Sequence, residues 1–79
     1  MLKKVEVVVP VSSLNSSVVF NAIRFEAKEG CELTVFNTDA DSLVVNEVET
    51  IKDKESEKVR TTAIAVFNRK GWQYWKKID

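Results

Sequence analysis

The chain contains no histidine. The commonest general base and the commonest zinc ligand are therefore missing. Neither a Cys–His pair nor a Ser–His–Asp triad can be built from one copy. The side chains left for chemistry are one cysteine, a few carboxylate pairs and an aromatic–basic stretch near the C-terminus. Cys31 alternates with residues expected to face inward, which suits a small buried hydrophobe. A reactive thiol would need exposure and a positive neighbourhood. Asp39 and Asp41 could begin an oxygen-ligand site, but the further acids and the bend glycine of a calcium loop do not follow. Glu47 and Glu49 would share one strand face, where paired carboxylates could do acid–base work if a pocket enclosed them. Gly30 and Gly71 sit in turn contexts, not in a phosphate-cradling loop. The expectation is a protein that is not an enzyme and carries no metal or cofactor.

Binding is the class that remains. Thr61 to Ile78, TTAIAVFNRKGWQYWKKI, holds both tryptophans and the one tyrosine, interleaved with Arg and Lys. Such residues are enriched at protein–protein hot spots. They also suit single-stranded nucleic acid, with rings for bases and cations for phosphates. The candidate binding residues are Arg69, Lys70, Trp72, Tyr74 and Lys76. The bland alternative is that two tryptophans in so short a chain are simply its core. If the stretch is a hairpin about Arg69-Lys70-Gly71, its register decides. A three-residue loop lays Trp75 over Ala63 and Ala65, as packing. A two-residue loop puts Phe67, Arg69, Trp72, Tyr74 and Lys76 on one face, as a platform.

The elements that must position these groups read mainly as strands. Val5, Val7 and Val9 alternate along the first, with Pro10 at its end or at a sheet edge. The serine- and asparagine-rich run 12–17 follows as a turn or one helical turn capped by Ser12 or Ser13. Residues 14–29 can be read as a helix, with Leu14, Val18, Ala22 and Phe25 on one stripe and Gly30 as its stop. As a hairpin, a loop Lys28-Glu29-Gly30 sets Ala27, Phe25 and Ile23 opposite Cys31, Leu33 and Val35. Apolar then meets apolar at every rung, which favours the hairpin. Asn37 to Ser42 is a loop whose side chains can bond their own backbone. Leu43 to Ile51 is valine-rich and favours strand over helix. Lys52 to Lys58 is then a charged hairpin tip.

The run IRFEAKEGCELTVFNTDAD resembles the first hairpin of bacterial sliding clamps. The matching positions are Ile23, Phe25, Glu26, Gly30, Leu33, Val35, Thr38 and Asp39. The likeness covers a short part of the chain, without the helix a clamp places after its first strand. It implies a hairpin here and no function.

A chain of 79 residues forms one small domain and buries only roughly 60% of its unfolded surface. Pairing with a second copy could supply stability that a small core lacks, so a homo-oligomer is one expectation. Apolar residues make up 44% and charged residues 30%, an ordinary globular balance. Net charge is zero, with ten acids against three lysines over 26–57 and six bases against Asp79 over 58–79. Such asymmetry marks a basic surface or acidic and basic strands lying side by side. No apolar run has the length of a membrane helix, and Glu6 interrupts the N-terminal valines where a signal peptide would not. A single cysteine fits a reducing compartment. The expected class is a mainly β domain, an antiparallel meander of five to six strands, or α+β if one helical reading holds. The expected role is a cytoplasmic, non-catalytic protein docking a protein partner. A small phage or mobile-element regulator or inhibitor would fit that size. The alternative is a single-stranded nucleic-acid-binding module.

Overall fold

The computed structural model describes residues 2–14 and 17–78. Among the described residues six strands form, β1 (Lys4–Leu14), β2 (Ser17–Glu26), β3 (Cys31–Asn37), β4 (Leu43–Lys52), β5 (Glu57–Phe67) and β6 (Tyr74–Ile78). All pairings are antiparallel and lie in two three-stranded sheets, ordered β2-β1-β6 and β3-β4-β5. The mainly β expectation holds. The helical readings over 14–29 and 43–58 do not, since the described residues of both runs are strand and loop. The join between β1 and β2 at 15–16, where a serine-rich turn was expected, lies outside the described residues.

The core is the layer between the sheets. Val5 and Val7 of β1 meet Leu33 of β3 and Leu43 and Val45 of β4. Phe25, Ala65, Phe67, Trp72 and Trp75 pack around them, with Phe25 and Phe67 edge to face at 6.1 Å. The predicted face of β1, Val5-Val7-Val9, is therefore the inner one. The first strand also runs on past Pro10, which lies opposite Phe20 of β2. The reason is backbone direction. The Val8 carbonyl points towards the β6 side, where the Gln73 amide donates to it at 2.8 Å. Two residues on, the Pro10 nitrogen points the same way, past the start of β6. No donor is needed there, so proline is tolerated.

Two expected hairpins do not form. The turn at Lys28-Glu29-Gly30 is present, with Cys31 N–H donating to the Lys28 carbonyl at 2.9 Å and Gly30 at φ 84°. The strands it joins then part, β2 to pair with β1 and β3 to pair with β4. Phe25 and Leu33 thus belong to different sheets and join one core instead of sharing a rung. The sliding-clamp likeness loses its hairpin with them. Likewise β5 and β6 do not pair, so Asn68–Gln73 is a crossover between sheets and neither hairpin register applies. The β4–β5 hairpin does form, closed by Asp53 N–H donating to the Ser56 carbonyl. A bulge between Val45 and Asn46 leaves Ile64 as the extra residue on β5.

Gly30 is the one glycine in the left-handed region, and a Cβ built there would meet nothing within 4 Å. Gly30→Ala therefore isolates backbone strain from crowding. The expected loss is about 1–2 kcal/mol, read as a lower urea midpoint at unchanged slope.

Candidate functional site

Asp41 organises the surroundings of the aromatic–basic stretch. It sits in the β3–β4 loop at φ 59°, a conformation that Asp tolerates better than most residues. Its N–H donates to the Thr38 carbonyl, while Ser42 N–H donates to Thr38 Oγ1 at 3.2 Å. The Asp41 carbonyl accepts the Trp72 indole N–H at 3.0 Å. Its carboxylate lies 3.8 Å from Arg69 Nε. The loop 38–42 and the crossover 68–73 are thus latched together, chiefly by Trp72. The ion pair adds little, because both partners are mostly exposed.

The structure therefore divides the candidate binding residues. Trp72 is half-buried, packs on the core and has its polar edge satisfied. Trp75 faces inward beside Val7. Tyr74 and Lys76 lie on the opposite, outer face of the first sheet, where Tyr74 is 52% exposed. Arg69 and Lys70 lie in the crossover, fully at the surface. No single face carries all five. Of the four rings in the stretch, only Tyr74 is exposed.

Two ion pairs lie on the outer face of the first sheet. Arg24 reaches Glu6 at 3.6 Å and Lys4 reaches Glu26 at 3.8 Å. A surface groove beside them is lined by Lys4, Arg24, Phe25, Glu26 and Ile78. On the second sheet Arg60 binds Glu49 at 2.9 Å. Together with Arg69 and Asp41, this sets basic residues of the last third of the chain against acids of the middle third. The charge asymmetry is at least partly complementation between neighbouring elements.

The carboxylate pairs are similarly placed. Glu47 accepts a long bond of 3.4 Å from Lys28 N–H, and Glu49 is engaged by Arg60. Cys31 is buried, and its carbonyl accepts from Lys3 Nζ at 2.6 Å. Among the described residues no three Asp, Glu or Cys side chains converge.

What stands open is apolar. Phe36, Val44 and Val66 are direct cross-strand partners and form one row across the outer face of the second sheet. Val66 is 60% exposed and Phe36 48%, and the bulged Ile64 is exposed nearby in the chain. Beside them runs β5, an edge strand whose half Thr61–Phe67 carries no charge. Natural edges are commonly blunted by lysine or proline, and this half has neither. The sequence signal was present in TTAIAVF, but it resembled one arm of a hairpin whose other arm was expected to cover it.

No helix among the described residues is long and apolar enough to cross a membrane. No protein-family model, no curated protein and no solved structure matches the chain.

Proposed function

We propose that this protein is a non-catalytic docking module that binds a protein partner on its second sheet. The supporting observation is the exposed row Phe36–Val44–Val66 beside the uncharged half of the β5 edge. Such an edge offers main-chain donors and acceptors to an added strand, and the adjoining row offers apolar contact. This moves the proposed interface away from Arg69, Lys70, Trp72, Tyr74 and Lys76. Trp72 is committed to the latch on Asp41, and Trp75 to the core. Single-stranded nucleic acid remains the alternative, with Tyr74, Lys76 and Lys70 as its contacts.

The test uses tagged wild type, Val66→Lys and Lys76→Ala to capture partners, with quantitative mass spectrometry of what is retained. A specific protein should be retained by wild type and Lys76→Ala, and depleted at least tenfold by Val66→Lys. Val66 is exposed enough that its replacement should change stability by only about 0.5 kcal/mol. Retention that survives Val66→Lys but not Lys76→Ala would return the interface to the C-terminal stretch. Tight binding of a labelled oligonucleotide, weakening steeply with salt, would favour the alternative.

A further inference from the structure

The far ends of the two long hairpins differ in kind. The molecule extends 60 × 27 × 14 Å. An 11-residue strand spans only about 36 Å, so the hairpins overlap for part of their length and project beyond each other. The β4–β5 end is covered with charge, from Glu49 and Arg60 out to Asp53 and Lys54. The β1–β2 end has none: from Val7 to Ile23 there is no Asp, Glu, Lys or Arg.

Among its described side chains the arm is apolar on both faces apart from Asn21. Val11, Val19 and Ile23 continue the inner face of β1 and β2, while Pro10, Phe20 and Ala22 lie on the outer one. Val18, Val19 and Phe20 are about half exposed, at 56%, 53% and 47%. Because β6 reaches only to Val8, the arm is a two-stranded ribbon. Such a ribbon is marginal in water, and a third strand is what it lacks.

Its two edges are not equivalent. On β1, Pro10 occupies the edge vacated by β6 and blocks strand addition there. On β2 nothing blocks it. Lys3 O accepts from Ala27 N, which fixes the odd residues of β1 as those bonding to β2. Their partners Val19, Asn21 and Ile23 therefore spend their backbone groups on β1. The amides and carbonyls of Phe20, Ala22 and Arg24 point outward from the sheet.

Surface area says how much cover is missing. The chain exposes 6089 Å². A compact protein of 9.0 kDa exposes about 4,850 Å². The radius of gyration, 15.4 Å, compares with about 11.6 Å for a compact chain of this length. The excess, about 1,200 Å² per chain, is shared between the two projecting ends, and the arm's part of it, doubled across two copies, is at most about 2,400 Å², the lower range of obligate homodimer interfaces.

We infer that a second copy of this chain covers the arm, through antiparallel pairing of β2 with β2 about a twofold axis. A twofold contact needs one self-complementary patch: the β2 edge from Ser17 to Ile23 carries no charge, Arg24 lies at its inner end, and the net charge of the chain is zero. Each arm supplies the strand that the other lacks, and one sheet runs β6-β1-β2-β2-β1-β6 through both copies. This surface is separate from the docking row on β5, so the two proposals fail independently.

The test is the mass of the full chain by sedimentation equilibrium over a wide concentration range, with two variants. Ala22→Pro removes an outward amide and leaves the β1 ladder intact, while Phe20→Lys puts a charge on the exposed outer face. Wild type should have twice the chain mass. Both variants should dissociate at least tenfold more readily, with tryptophan fluorescence unchanged because both rings lie in the body. A wild-type monomer at the highest concentration would overturn the inference, as would open-ended association. A folded Ala22→Pro protein that dimerises as wild type does would overturn the β2 seam. If Ala22→Pro unfolds, Phe20→Lys and the wild-type mass still decide.

Discussion

Leu43→Ala is expected to remove a large share of the stability of the fold. Leu43 is fully buried and belongs to the five-residue core cluster, so no second layer compensates for its loss. Truncating a buried leucine removes about 2–5 kcal/mol, depending on how far the site collapses. A chain of this length has only roughly 4–12 kcal/mol in total. Collapse should be poor here, since Leu43 is held by Asn37 on one side and Phe67 on the other in the β-ladder. The urea midpoint followed by far-ultraviolet circular dichroism should fall by half or more. Val66→Ala, one rung away but exposed, should move it by only about 0.5 kcal/mol. Equal effects at the two positions would contradict the placement of the core between the sheets.

Trp72 gives the second large effect, and a pair of substitutions separates its two contributions. Trp72→Ala loses core packing and the indole bond to the Asp41 carbonyl, for about 3 kcal/mol, the low end for tryptophan because the ring is half-buried. Trp72→Phe keeps most of the packing and loses the bond, for about 0.5–1.5 kcal/mol. A residue kept for binding would behave differently: Trp72→Ala would leave the urea midpoint unchanged. The same variants also report on the latch. Without the indole bond, the amides of loop 38–42 should exchange faster in both.

These expectations depend on a topology that the sequence discloses only in part. Alternation along Val5-Val7-Val9 and Cys31-Leu33-Val35 was legible because a strand period of two assigns faces directly. The glycine turn at Gly30 was legible for the same local reason. Alternation does not say which strand lies alongside. Phe25 and Leu33 both point inward and match across a hypothetical rung, yet they meet across the sandwich. Two strands joined by a short turn usually pair, and here two of the short connections switch sheets instead. The same ambiguity hid the position of Trp72. It reads as the first residue of a strand, but it lies in the crossover, where its side chain bridges to the Asp41 loop. The bulge at Ile64 left no mark in the valine and alanine pattern. The sequence alone gives no meaning to the charge-free run Val7–Ile23, which depends on β6 stopping at Val8.

In the proposed dimer, strand ends and not side-chain chemistry set where the second copy would bind. The most direct test is residue-resolved amide hydrogen exchange along β2 of the wild-type chain at high concentration. If a second copy covers the edge, the amides of Phe20, Ala22 and Arg24 will exchange as slowly as those of Asn21 and Ile23, which bond to β1. An alternating pattern, with Asn21 and Ile23 slow and Phe20, Ala22 and Arg24 fast, would show an edge open to water and contradict the account.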